Sequence, residues 1–502
     1  MPHSSYDVVV MGRELGTLIA ATLLCQRGVR VLVVSAPGDP VAPAPQLGQN
    51  HQPIDRYSLG PYVLPTAPMA LTGPEAPGMK RLITELNLVQ LFRRRIEPNR
   101  PSFQLLLGDH RLDVDDDVLH AIERESPAAL LPYERVAQRT AEISAAVESI
   151  LAEDVMLPPD GFWDRRDGKR VASRLPDDTS DPVAAAVAGL DARTAAIVRG
   201  LIELPARFHA DVAAPGAIST ARCAELWQRG SFRVDGGREG LRGLFIDRLR
   251  ALGGEHRPEL RVERLLFRRG RLTGVDVGAP EGEIGCEQAI VGLSADTLLP
   301  LFGDEKPPKR LVEAAALRPA LYRYLLHFVV PLDVLPDALS RVAFSVLDPS
   351  APLAGDNALL LHLQDGYGQH AVLTAEALTP DASPAALATL RSGIRAHLDR
   401  LLPFVSRHLL CVHSPNDGVP PEGVTESAPP PRALEPMWSS DGPRVLGVCG
   451  TPYDTGCRGL WLAGRQALSG LGLEGELEAS LRVAKLVSSA ARKREPQSAV
   501  LR

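Results

Sequence analysis

Residues 7–35 read DVVVMGRELGTLIAATLLCQRGVRVLVVS, and they decide how the rest of the chain is read. Residues 6–11 are a short apolar, β-branched run stopped by Gly12, the signature of a strand buried on both faces. Residues 15–27 carry apolar positions at helical spacing, and Gly28 stands where a helix commonly terminates. Residues 29–34 form a second buried strand. Strand, helix and strand make one βαβ unit, which opens a doubly wound parallel sheet.

Outward from that unit, the chain alternates. Residues 36–53 are rich in Pro, Gly, Gln and Asn and read as an irregular loop. Residues 78–92 read as helical, and 115–229 as mostly helical, with an amphipathic stretch at 133–153 and a polar, charged interruption at 160–181. A second α/β block covers 232–302, with a helix at 240–252 and strands at 260–268 and 271–277. Residues 310–413 mix strands, such as 358–362 and 371–375, with a helix at 384–402. The proline-rich 415–443 reads as a connector, and a strand at 459–463 and a helix at 474–491 close the fold. This order predicts two discontinuous domains. Residues 1–75, 230–302 and 444–491 form a dinucleotide-binding type, 76–229 and 303–443 a substrate type with mixed α+β structure, and 492–502 a flexible tail.

Composition narrows the function. The 502 residues are 45% apolar and 23% charged, and carry a net charge of −6. That balance suits an ordinary globular protein and excludes the strong basic footprint of a nucleic-acid binder. Six scattered cysteines include no C-x-x-C, so neither a disulfide framework nor a zinc site is expected. Free thiols in a reducing cytoplasm follow. No run approaches transmembrane length, and no signal segment precedes the first strand. No histidine pair has metal-ligand spacing, and no nucleophile elbow or P-loop occurs.

Several stretches, in order along nearly the whole chain, resemble the phytoene desaturase and flavin-containing amine oxidase superfamily. They are the βαβ unit, YSLGPYVL at 57–64, GGREGLRGLFIDRLRALGGEHR at 236–257, RVERLLFRRGRLTGVDV at 261–277 and GLWLAGRQALSGLGLEG at 459–475. The resemblance implies a two-domain, FAD-binding, Rossmann-type scaffold of the glutathione reductase kind, with hydride transfer from an apolar or amine substrate to the flavin. It also carries a cofactor site onto Gly12, Glu14, Gly16, Thr17, Ser35, Val262, Gly464, Arg465, Gly472 and Leu473.

Several of those positions depart from the family pattern. A dinucleotide motif places glycines so that the pyrophosphate reaches backbone N–H groups at a helix N-terminus. Here Gly12 is present, but Glu14 and Thr17 stand at the second and third glycine positions. Two like unit charges about 4 Å apart repel by about 4 kcal/mol at an effective dielectric of 20, so Glu14 opposes a dianion. Ser35 replaces the acid that would grip the ribose, Arg465 replaces an acid after Gly464, and residues 36–53 lack the family's Arg-x-Gly-Gly element. One reading pairs Glu14 with Arg465 across the cleft; another turns Glu14 to solvent or to Arg13. Three functions stay open. One is a non-catalytic binding protein with weak or lost FAD affinity, taking an apolar ligand or a protein partner, with peripheral membrane contact allowed. The others are a working FAD oxidoreductase and an enzyme that has exchanged FAD for another nucleotide. The binding reading predicts a largely apolar cavity walled by 128–157 and 183–208.

Overall fold

The computed structural model describes residues 4–36, 54–108, 110–115, 117–153, 155–159, 161–176, 181–315, 318–366, 368–439, 444–445 and 448–492. The loop expected over 37–53 and the tail after 492 lie outside these residues.

The βαβ unit forms as its pattern dictates. Strand Ser4–Met11 lies between Val31–Ser35 and Glu283–Val291, parallel to both, with Val9 opposite Leu32 on one side and Ala289 on the other. Strand Glu255–Arg261 extends the sheet beyond Val31–Ser35. The far edge of Glu283–Val291 is shared. The antiparallel hairpin Arg264–Arg268/Arg271–Asp276 pairs with its first residues, and Leu460–Leu462 runs parallel along its last. The first unit and the far C-terminal strand therefore occupy one sheet, joined through Glu283–Val291. The single strand expected at 260–268 is in fact two, Glu255–Arg261 and Arg264–Arg268, on opposite sides of the sheet path. The break falls at Val262 and Glu263, whose N–H groups donate to Ser35 and Asp276 carbonyls respectively.

Helix Leu15–Gln26 buries every residue except Gln26, because it is apolar all round and covered on several sides. Thr22 donates to the Phe245 carbonyl of helix Gly237–Ala251 (3.4 Å), and Ser480 of the C-terminal helix Gly472–Arg492 donates to the Gly16 carbonyl (2.8 Å).

A second, largely antiparallel sheet has eight strands. Its long central member, Pro319–Pro331, pairs with His370–Thr379 on one side and with Cys411–His413 and Glu435–Trp438 on the other. Strands Ala358–Asp365 and Val342–Val346 continue it, and Phe103–Leu107 joins from much earlier in the chain, parallel to Val342–Val346. The strand Glu435–Trp438 corrects the reading of 415–443 as connector alone. Pro436 is tolerated there because this strand is an edge. The charged interruption at 160–181 likewise holds a helix, Phe162–Ala172, capped by Asp164 accepting the Gly161 N–H.

Helices Pro127–Leu151, Ala192–His209 and Ala217–Gln228 cover this sheet. Tyr133, Val136, Ile197 and Leu201 pack against Phe103 and Phe344, while Ile143, Val147 and Ile150 pack with Ile218 and Leu468. These contacts fill a helical core. The cysteines at 25, 223, 286, 411 and 457 are buried and free. Among the described residues no helix is long and apolar enough to cross a membrane.

Candidate functional site

The two sheets enclose a cavity of about 570 Å³. Its walls come from the Arg13–Glu14 turn, the loop after Glu283–Val291, the Arg465 turn and the start of the C-terminal helix on one side. Asp211, Arg323, His362, Glu376 and Glu435 form the other.

The turn after the first strand needs its glycine. Gly12 has φ +115°, and a Cβ there would lie 3.3 Å from the Gly292 carbonyl oxygen. Thr17, fully buried, is accommodated from across the sheet, since a Cβ on Gly292 would lie 2.5 Å from the Thr17 methyl. Gly292 thus makes room for the side chain that stands at the third glycine position.

Glu14 precedes the first helical residue and folds its carboxylate over Gly464, where a Cβ would approach Oε2 to 1.7 Å. That oxygen accepts the Arg465 backbone N–H at 3.1 Å. Of the readings left open for Glu14, the approach to Arg465 is the one seen, but not as a pairing of side chains. The direct contact uses the Arg465 main chain, while its guanidinium reaches the opposite wall, bonding Asp211 and Glu435 (2.8 Å to the latter). From there the ion pairs continue. Asp211 lies 3.6 Å from Arg323, which donates to Glu376 at 2.6 Å and to the Phe208 and Ala210 carbonyls. Behind Glu14, Glu476 of the C-terminal helix accepts the Gly16 N–H at 2.7 Å. Its nearest cation, Arg238, is 3.8 Å away.

These positions set the acidities. Burial pushes Glu14 up to about 8, the charge of Glu476 adds to this, and Arg465 offsets only part of it. Burial acts on Glu435 too, but Arg465, Arg238 and Arg323 outweigh it and hold this carboxyl down at about 2. Glu435 leaves 40% of its side chain uncovered although protein surrounds it, because the uncovered surface faces the cavity it lines. Burial pushes His209 down to about 4, so it is neutral at pH 7.

The remaining candidates divide. Gly16 touches the C-terminal helix, where a Cβ would lie 2.7 Å from Glu476 Cγ. Gly472 has φ +55° and approaches the His209 backbone, and Leu473 lines the cavity. Ser35 and Val262 meet each other instead, away from it. Ser35 donates its hydroxyl to the Pro258 carbonyl at 2.7 Å, and its own carbonyl accepts the Val262 N–H at 3.3 Å.

Two further findings depart from the sequence reading. The cavity is not walled by the helical segments expected. Among the described residues, 128–157 contribute nothing to its lining and 183–208 only Phe208, because their apolar side chains are spent on the helical cores. The second concerns Asp211, Arg323, Glu376, Glu435 and Glu476, which were not foreseen. A signal existed for Glu476: Glu474, Glu476 and Glu478 alternate in a helix start that is otherwise apolar, and all three are buried.

No protein-family model matches the chain, and no curated protein matches it in sequence. Solved structures do match its fold. An oxidoreductase from Methanosarcina mazei superposes with TM-score 0.60 at 13% identity, covering 95% of this chain and 99% of that one. A double mutant of putrescine oxidase, made to redesign its cofactor binding, gives 0.60 at 14%, covering 97% and 99%. Cyclohexylamine oxidase from Brevibacterium oxydans gives 0.55 at 13%, covering 97% and 100%. The chain shares the two-domain, Rossmann-type fold of these structures.

Proposed function

We propose that this chain is a binding protein on an amine oxidase-type scaffold, with weak or no affinity for FAD and no flavin chemistry of its own. The observation that carries this reading is the occupancy of the first helix N-terminus. A bound dinucleotide offers its pyrophosphate to backbone N–H groups there. Here Glu476 takes the Gly16 N–H, and Glu14 takes the Arg465 N–H over Gly464. Two carboxyl groups stand where a dianion would have to stand: the charge of Glu476 repels it by a few kcal/mol in a partly dry site, and Glu14, mostly protonated at neutral pH, fills the space beside it. The residues present do not fit FAD.

The cavity is what remains for function. Its Arg and acidic side chains are largely paired with one another, so it favours a compact ligand that is uncharged overall and has polar and apolar faces. A protein partner that seats a loop in the cleft is the other form of the same reading. The oxidase-type fold favours the alternative, an active FAD oxidoreductase. Purified protein, incubated with excess FAD and passed through gel filtration, decides between them. The binding reading expects a colourless protein; near-stoichiometric flavin absorbance co-eluting with the chain overturns it.

A further inference from the structure

We infer that the N-terminus of helix Leu15–Gln26 is a pyrophosphate-class anion site which the chain keeps plugged with its own carboxylates, Glu476 and Glu14. This rests on the flavin-free reading above and goes beyond it, because it assigns these side chains a positive role: they occupy the position a phosphate group would take.

Glu476 is only 1% exposed. A buried carboxylate is costly unless strongly paired. Its close partner is the Gly16 N–H, on the second residue of the helix, with Arg238 too far for a hydrogen bond. The positive end of the helix, the feature that binds phosphate in dinucleotide proteins, supplies its hydrogen bond, and the charges of Arg238 and Arg465 act on it from further away.

The second observation is independent and comes from the other end of the chain. Glu14 enters from the opposite side and takes a further N–H, at Arg465. Its carboxyl is held mostly protonated at neutral pH, first by burial and then by Glu476, as expected of two acids sharing a site made for one anion.

The glycines complete the case. Gly464 and Gly16 have no side chains where a ligand would need close approach, and in each instance the vacated space holds a glutamate: Glu14 Oε2 against Gly464 and Glu476 Cγ against Gly16. Removing the two acids would leave free N–H groups, with Arg465 and Arg238 nearby.

Titration calorimetry with inorganic pyrophosphate, ADP and FAD tests this on the full-length protein and on Glu14→Gly, Glu476→Ala and the double variant. The expected result is no measurable heat for the wild type. The double variant should bind pyrophosphate and ADP at least about 100-fold more tightly, with each single variant gaining less than half of that on a logarithmic scale. ADP and pyrophosphate binding alike would mean that the phosphates alone are recognised; ADP binding much more tightly would show that the adenosine position survives as well. A folded double variant that binds neither overturns the plug, as does wild type binding pyrophosphate as tightly as the variants. If the double variant does not fold, Glu476→Ala alone carries the test through its thermal midpoint. Millimolar pyrophosphate should raise that midpoint and leave the wild-type one unmoved, and equal behaviour of the two proteins sinks the proposal. Wild type that co-purifies with FAD overturns the flavin-free reading. Colourless wild type with variants that gain nothing overturns only the plug.

Discussion

Glu474 and Glu476 sit two residues apart on one helix, both buried, yet their surroundings differ. Glu474 receives two parallel N–H bonds from Arg222, at 2.8 and 2.6 Å, and Arg222 continues to Ser144 and Glu148 at 2.9 and 2.8 Å. That is a closed structural cluster tying three helices together, with charge matched and a two-pronged fit. Glu476 has one backbone N–H, a distant arginine, and a second acid competing for the same field. The contrast separates acids that build the scaffold from acids that fill a position in it. If it is sound, variants on the two sides should fail in different ways.

Arg222→Met should show the largest effect. It strands Glu474 in a place water does not reach, and breaking one side of a buried pair costs about 3–5 kcal/mol. Urea denaturation should show the midpoint falling by a corresponding amount with no gain in anion binding. A loss below about 1 kcal/mol would erase the distinction between the two glutamates.

Arg465→Met should come next. It removes the cation between Asp211 and Glu435, but Glu435 is partly open to the cavity and Asp211 keeps Arg323 at 3.6 Å, so a smaller loss of about 2 kcal/mol is expected. It also changes the acid limb of stability. Glu435 is held below its ordinary value, so its contribution is present above about pH 4.5 and is lost as pH falls toward 2. Without Arg465 that limb should flatten. An unchanged acid limb would show that Arg465 does not control Glu435.

Glu14 titrates in the opposite sense. Its folded pKa lies above its ordinary value, so its stabilisation is complete below about pH 4.5 and is lost as pH rises through about 8. Between those limits the unfolded chain releases the proton and the folded one keeps it, and stability falls by at most about 1.4 kcal/mol per pH unit. Glu14→Gln should abolish that slope and be the more stable protein at pH 8. Parallel stability profiles for variant and wild type from pH 5 to 8 would place Glu14 in solvent.

What was legible in the sequence follows the same division. The βαβ unit could be read because continuous β-branched runs bounded by glycine admit few other structures, and the C-terminal strand and helix could be placed by the same rule. Glu283–Val291, the strand that joins them, was not singled out. Its EIGCEQAIV mixes glycine and polar residues into the run, and Gln288 is satisfied only by Trp461 and the Val487 carbonyl, partners far along the chain. Pro319–Pro331 was obscured likewise by Arg323, whose partners Glu376 and Asp211 lie on other segments. At the site, Gly12, Glu14 and Arg465 stood out as departures from a spaced motif. Asp211, Glu376 and Glu435 follow no spacing; only tertiary pairing brings them to Arg465 and Arg323.

Thr17 offers the smallest and most local test, and it decides whether every altered glycine position belongs with the plug. Its hydroxyl donates to the Glu14 carbonyl at 2.8 Å, and its methyl occupies the space left open by Gly292. Nothing in that arrangement faces an anion, so Thr17 belongs to the scaffold. Gly292→Ala should force the new methyl against Thr17 and cost about 1–2 kcal/mol by overpacking. Thr17→Gly should cost stability on its own, by leaving a small void and adding backbone freedom inside a helix. Combined, each change relieves the other, and the double-mutant cycle should return a favourable coupling of about 1 kcal/mol in thermal or urea unfolding. Pyrophosphate affinity should not respond to either substitution. Additive effects on stability would mean that the two residues do not share the space, and a gain in anion binding from Thr17→Gly would move this position from the scaffold to the site.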